Sequence, residues 1–416
     1  MSPRPSLVRF GPLVLGVAIL AVASAPTVYQ YLATFSDEDW QIDLAVYREA
    51  SRALLDGLPV YDLRTDAPQF LPFTYPPVAA IFGLPLLLVP FRVLGWLWSV
   101  LQLALLWYTI GIAFRPLLER FGRWRPVAQG VLGAVGIWML PVSDGIRFGQ
   151  VNAIVVALCL ADVARRAEPK RWARGSLVGL AVAVKLTPGV FWLHWAALRR
   201  WRVLLTSVLT AGVVTLLAAL VMPESSVSYW LGALLDTERV GPNSGTSNQS
   251  LNGLLLRMGV PVGPAAGLAW AGAAILVLVA GLLLSRRLDA LDERVAVVAA
   301  IGLIAFLVSP VSWVHHLYWG LVLVAALAGD GREPRRVVAA LVFTALLWIH
   351  VPWWGVAIID DLKPGPHWLG YIMQNGYTIT ALAGLICLAW LVARRPATGS
   401  GAPDEEQLPE PALDVR

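Results

Sequence analysis

Apolar runs of roughly 15 to 23 residues recur along the chain between short polar stretches, and about 20 apolar residues suffice to cross a bilayer. The pattern predicts an all-α polytopic membrane protein with about 12 transmembrane helices, several of them short, since backbone in hydrocarbon must satisfy its own hydrogen bonds. The first run, Phe10 to Tyr31, contains Ala23-Ser24-Ala25, which resembles a signal-peptidase site; Pro26 follows directly and predicts a retained helix. Residues 33–92 form the first polar loop. Within it Pro76, Pro77, Pro85 and Pro90 break a short apolar run, leaving Val93 to Phe114 as the second span. From Asp43 onward Val46, Ala50, Ala53 and Leu54 share one helical face while Arg48, Glu49, Arg52 and Asp56 lie elsewhere. That spacing predicts an amphipathic helix lying in the membrane interface and ended by Gly57. A later apolar stretch is interrupted at Lys185-Leu186-Thr187-Pro188, which predicts a short hairpin. Residues 1–395 read as one transmembrane domain with a second polar loop at 223–263, and 396–416, rich in Pro, Gly and acidic residues, as a disordered cytoplasmic tail.

Composition sharpens this picture. Hydrophobic residues make up 57% of the chain and charged ones 14%, against about 25% charged in soluble domains, which excludes an ordinary soluble enzyme. The net charge of +5 does not point to nucleic acid, because 29 of the 32 basic residues are Arg scattered in short clusters, with no basic domain to hold a duplex. The positive-inside rule places the clusters around Arg115–Arg125, Arg165–Arg174, Arg199–Arg202, Ser285–Arg294, Gly329–Arg336 and Arg394–Arg395 in the cytoplasm. The inner side then carries about +10 and the outer side about −5. Cys159 and Cys387 both lie in apolar runs, so neither a disulfide framework nor a Cys metal site is indicated.

Under that topology the polar residues with chemical potential collect on the outer side. Asp43 stands at the start of the predicted interfacial helix, as a helix cap or as a reactive carboxylate. Arg147, Gln150 and Asn152 sit at the mouth of a helix, where amides must face protein rather than lipid. Lys185 at the hairpin tip needs an anion, a structural ion pair or water. The Gly/Ser/Asn-rich stretch Gly241 to Gly253 suits a mobile binding loop or lid, or a plain connector. Ser309-Pro-Val-Ser-Trp313-Val-His315-His316 is the sharpest local signal. Adjacent His residues do not share a helix face, so a two-His metal site is not expected, and phosphate binding, base catalysis or a carbonyl hydrogen bond remain as roles.

Seven motifs in order resemble one family: Asp43-Leu-Ala-Val-Tyr47, Gly57-Leu-Pro-Val-Tyr61, Phe73-Thr-Tyr-Pro-Pro77, Gly149-Gln-Val-Asn152, Lys185-Leu-Thr-Pro188, Asn248-Gln-Ser-Leu-Asn252 and Ser309 to His316. Between roughly residues 40 and 320 the chain is similar to glycosyltransferase family 87, the polyprenol-phosphate-mannose-dependent α-mannosyltransferases of actinobacteria. The resemblance implies the GT-C fold, a cell-membrane location with an extracytoplasmic site, a polyprenyl-phosphate mannose donor, and inversion to an α-mannoside on a glycolipid or lipoglycan acceptor. It also implies a catalytic carboxylate in the first outer loop. Asp43 occupies that position, with Asp39 nearby in reserve.

The residues are compatible with such chemistry. Asp43 or His316 would take the acceptor proton. Lys185, His315, Arg147 and Arg92 would receive the donor phosphate. Tyr47, Tyr75, Gln150, Asn152, Asn248, Gln249, Asn252, Asp39 and Trp313 are candidate substrate contacts, with Trp40 a further surface for stacking on sugar. A lipid-phosphate leaving group carries its charge well, so no metal or other cofactor is expected. The expected partners are membrane lipids, the donor and the acceptor, and no nucleic acid. The competing readings are another polyprenyl-phosphate sugar, arabinose or glucose, and a lipid or sugar transporter. The transporter is disfavoured because the two halves show no internal repeat and the polar residues gather at one face.

Overall fold

The computed structural model describes residues 7–36, 40–164, 173–236, 238–361 and 367–393, so Asp39, the cluster Arg165 to Arg171 and the 396–416 tail lie outside the described residues. The described residues are built from helices and turns, with only isolated bridges such as Asn248 to Trp313 between extended segments. Among the described residues five helices are long and apolar enough to cross a membrane, ending with Gly376–Ala393, or up to seven if two bent pairs each count as one span. The sequence pattern predicts about 12. The difference lies in apolar segments that form short helices, among them Asn152–Val163, Arg294–Val308 and Trp319–Ala328.

Those short helices occupy the middle of the molecule. Every residue from Ala296 to Leu307 is buried, and so is all of Trp319–Ala328. A helix that is apolar all round and buried all round is a core helix. Trp201–Val221 and Pro264–Ala290 are equally apolar yet leave Leu209, Leu216, Leu220, Leu268 and Leu276 exposed, as suits lipid-facing spans. The opening helix, Leu7–Tyr29, meets Arg125–Ile137 through Gly16 and Gly130; a Cβ on either would strike the other helix's backbone, so the close crossing requires both glycines.

In the first polar loop a helix forms where the periodicity predicts one. Ile42–Leu55 is a helix whose Val46, Ala50 and Ala53 are buried, and Gly57 follows its end with φ +68°. Its buried face packs on protein, against Val78–Phe82, Leu84–Leu87 and Leu140–Phe148. The proline-rich run supplies only two short turns of helix, Val78–Phe82 and Leu84–Leu87. The chain also breaks where expected, between Ser176–Val184 and Val190–Ala197, with Lys185 in extended conformation.

The second polar loop departs from the mobile lid that its composition suggests. It contains the helix Leu251–Arg257, and Arg257 donates to the carbonyls of Gly245 and Asn248 at 2.7 Å each and to Asn375 Oδ1 at 2.7 and 3.0 Å. Gln249, fully buried, accepts at Oε1 from the backbone N–H groups of Tyr377 and Thr378 at 3.1 Å each. These are first-turn donors of Gly376–Ala393, which have no partner within their own helix. Its Nε2 donates to the carbonyls of Thr246 and Gln374 at 2.7 and 2.8 Å. Replacing Gln249 by Leu strands two buried donors, at a cost of about 2–5 kcal/mol. We expect Gln249→Leu to lower the midpoint of thermal unfolding in detergent; a wild-type midpoint would show that the latch is dispensable.

Candidate active site

The site is organised by one turn. Leu140–Phe148 ends at Gly149, which takes φ +73° and leads through Gln150 into Asn152–Val163. Only glycine fits, because a Cβ would lie 2.6 Å from Leu44 Cβ and 2.7 Å from Gln41 Oε1. The close approach brings the start of the Ile42–Leu55 helix against the turn. Gln150 Nε2 then donates to Asp43 Oδ2 at 2.6 Å. Two residues on, Asn152 Oδ1 accepts from Lys185 Nζ at 2.8 Å, while its Nδ2 donates to the His315 carbonyl at 3.0 Å. One turn therefore holds a carboxylate on one amide and an ammonium on the next.

Asp43 does not cap its helix. Gln41 is the N-cap residue, in left-handed conformation with φ +51°, and the Asp43 side chain reaches Gln150 instead. Burial pushes the Asp43 carboxyl up to about 6, while the Gln150 hydrogen bond and the Lys185 charge both pull it down. Lys185 takes an amide as its hydrogen-bond partner, and its ammonium lies 5.5 Å from the centre of the Tyr75 ring. Among the described residues no ion pair joins it to a carboxylate. Lys185 and His316 line one cavity with Asn152, Thr187, Ser312 and Trp319.

The other predicted residues divide into those at this centre and those elsewhere. Tyr47 and Tyr75 are at it: their hydroxyls lie 3.0 Å apart and each is 3.2 Å from Gln150 Oε1. His316 Nδ1 accepts from the Trp313 backbone N–H at 3.2 Å. The buried His315 ring packs against Phe148 and His316, and its Nε2 has no hydrogen-bond partner. The Arg147 guanidinium lies between the rings of Phe35 and Phe148, at 5.1 and 4.8 Å, with its Nε buried and without a hydrogen-bond partner. Arg92, by contrast, is exposed and stacks on Trp40 at 4.7 Å. Trp40 is only 2% exposed and meets Phe91 edge to face, so its faces are covered and do not suit a sugar.

Asn248 and Gln249 are fully buried, and their amides are committed to the chain itself. Asn248 Nδ2 donates to the carbonyls of Asn243 and Pro310 at 2.8 and 3.3 Å, and its Oδ1 accepts from the N–H groups of Ser250 and Ser312. The Pro310 carbonyl also accepts from Ser250 Oγ and Asn252 Nδ2 at 3.0 and 3.2 Å. The motif thereby fastens the loop to the segment that carries His315 and His316.

Four supporting residues are not among the candidate site residues read from the sequence, although Tyr61 ends the Gly57–Tyr61 motif. Gln41 Nε2 donates to the Ile146 carbonyl at 2.5 Å. Gln102, buried within the apolar Phe91–Ala113 helix, donates to the carbonyls of Gln150 and, at 3.3 Å, of Gly145. A glutamine inside an apolar span is itself a usable signal. Tyr61 Oη donates to the Tyr75 carbonyl at 2.7 Å, and Arg239 holds the Tyr61 carbonyl in turn.

The model of glycosyltransferase family 87 matches residues 73–310. A Mycobacterium tuberculosis protein named polyprenol-phosphate-mannose-dependent alpha-(1-2)-phosphatidylinositol mannoside mannosyltransferase is 31% identical over 353 residues, covering 81% of this chain and 82% of its own. This chain belongs to glycosyltransferase family 87. A Mycolicibacterium smegmatis protein of the same name is 30% identical over 397 residues, covering 89% and 88% of the two chains. A second from that organism, named for a phosphatidylinositol pentamannoside acceptor, is 33% identical over 319 residues, covering 75% and 74%. No solved structure matches the chain. As a family 87 glycosyltransferase the protein needs groups to receive a proton and to meet a leaving group, and the Gly149–Asn152 turn holds a carboxylate and an ammonium side by side. Gly149→Ala should force this turn away from Leu44 and cost about 1–3 kcal/mol through overpacking and strain at positive φ. Thermal unfolding in detergent measures it, and an unshifted midpoint would mean that the turn relaxes freely.

Proposed function

We propose that the protein transfers mannose from polyprenyl-phosphate mannose to a phosphatidylinositol mannoside or related glycolipid, inverting a β-linked donor to an α-mannoside on the extracytoplasmic face. The observation that carries this reading is the pairing of Asp43 with Gln150 and of Lys185 with Asn152 across a single turn. The names of the mycobacterial relatives supply the donor and acceptor class. The excess of Arg in the loops assigned to the cytoplasm supports the orientation. The remaining parts of the reading are a GT-C fold with about 12 transmembrane helices, several of them short, the 42–55 helix at the interface, and a cytoplasmic tail.

In this mechanism an acceptor hydroxyl attacks the anomeric carbon in line with the leaving phosphate. The new C–O bond forms on the face opposite the breaking one, and the hydroxyl proton passes to Asp43. Polyprenyl phosphate departs with the electron pair, and Lys185, Arg147, His315 and His316 meet its charge. The hydrogen bonding of His316 supports Asp43 as the base. Because Nδ1 accepts the Trp313 N–H, the neutral ring carries its proton on Nε2 and presents a donor, which suits phosphate and leaves the base role to Asp43. Positive side chains already supply the compensating charge, so transfer proceeds without a metal cofactor.

The test is transfer by purified protein from labelled polyprenyl-phosphate mannose, compared with GDP-mannose and polyprenyl-phosphate arabinose or glucose, across phosphatidylinositol mannoside acceptors, with and without EDTA. Use of GDP-mannose alone would overturn the proposal, and loss of transfer in EDTA would overturn its metal-free form. Asp43→Asn should abolish turnover while the protein remains folded. Since Asp43 must be unprotonated to act and its pKa stands at about 6, kcat/KM should fall as pH drops through that value, and it should fall again above about 7, where burial makes Lys185 give up its proton. A flat profile from pH 5 to 8 would remove Asp43 from the base role.

A further inference from the structure

A glutamine amide has an oxygen and a nitrogen of nearly the same size, and only one of its two orientations serves a carboxylate. With Nε2 toward Asp43, Gln150 donates to the charged form; with Oε1 there, two acceptors would meet and Asp43 would take up a proton. We propose that Tyr47 and Tyr75 are positioning residues that fix the Gln150 amide, through their two hydroxyls on Oε1, so that Gln150 is held as a donor to Asp43. The inference rests on the reading of Asp43 as the base.

Both phenols point at the same amide oxygen from 3.2 Å. The single Tyr47 proton goes to Gln150 Oε1 or to the Tyr75 oxygen 3.0 Å away, and in either arrangement the Tyr75 proton goes to Gln150 Oε1. Burial above all keeps both phenols protonated, and the Asp43 charge adds to it. A buried donor left without an acceptor costs about 1–3 kcal/mol, so the phenols select the carbonyl end of the amide and leave its NH2 for the carboxylate. The Gln150 backbone is held separately, by Gly149 in its left-handed turn and by the Gln102 side chain on the Gln150 carbonyl. The Tyr75 backbone is held by Tyr61. The charged groups nearest this network are few. Lys185 faces Asp43, and Asp144 and Arg147 lie on the packed Leu140–Phe148 helix. The other two segments packed on the 42–55 helix, Val78–Phe82 and Leu84–Leu87, contain no titratable side chain.

The experiment is the pH dependence of kcat/KM for wild type, Tyr47→Phe, Tyr75→Phe, the double Tyr→Phe variant and Gln150→Leu, all as purified full-length protein with polyprenyl-phosphate mannose. The donor is a phosphodiester that stays ionised through this range, so the acidic limb reports the protein. In the double variant and in Gln150→Leu the limb should move up by about one pH unit, a loss of about fivefold at pH 6 that approaches tenfold below it and shrinks as pH rises. Each Tyr→Phe change removes one oxygen and keeps the ring, so these variants decide the matter if Gln150→Leu does not fold. A rate lowered evenly at every pH, or a raised donor KM with the limb in place, would overturn the proposal in favour of a packing role or a sugar contact. If Asp43→Asn retains near wild-type turnover, the base reading falls and this inference with it. If Asp43→Asn is inactive and the limb does not move, this inference alone fails.

Discussion

The arrangement depends on placing two opposite charges close together in a largely apolar protein without letting them collapse onto each other. A direct Asp–Lys contact would neutralise both groups. Here each charge is satisfied by an uncharged amide instead, Asp43 by Gln150 and Lys185 by Asn152, and the two amides are separated by one residue. Burial of a charge is tolerable when it is hydrogen-bonded. A neutral partner does this while leaving the remaining lone pairs of the carboxylate and the remaining protons of the ammonium for substrate. The requirement propagates outward: Gly149 must lack a side chain, the 42–55 helix must start against it, and Tyr75 must present both its ring to Lys185 and its hydroxyl to Gln150.

The scaffold meets this demand by surrounding the site with fully buried short helices. Arg294–Val308 and Trp319–Ala328 bracket the segment that carries His315 and His316, and neither has a face left for lipid. Longer helices such as Pro264–Ala290 take the exposed positions. The division separates a rigid inner layer, which sets the geometry of the reacting groups, from an outer layer whose side chains need only be apolar.

Much of the centre was legible in the sequence because charge is rare in it. Asp43, Lys185, Gln150, Asn152 and the His pair stand out against their apolar surroundings, and the structure brings them together. The interruption at Lys185 and the helix after Asp43 were readable from proline and from periodicity. What was hidden has common physical causes. Hydropathy does not tell a lipid-facing helix from a buried one, so the pattern counts about 12 apolar segments where five to seven of the described helices are long enough to cross a membrane by themselves. An amide reads the same whether it binds sugar or backbone, which is why Asn248 and Gln249 resembled substrate contacts while their polar atoms hold the Pro310 segment and the final helix.

The latch at Gln249 bears on what counts as the functional unit. The family match covers residues 73–310, yet the carboxylate lies before that range, the His pair just after it, and the helix start that Gln249 grips at Tyr377 and Thr378 later still. The last long helix is therefore more than an anchor: through Gln249 and its neighbour Asn248 its first turn is tied to the segment that positions His316. The candidate centre draws on the chain from about Gln41 to Thr378, and a domain boundary drawn at the edge of the family match would cut through it on both sides.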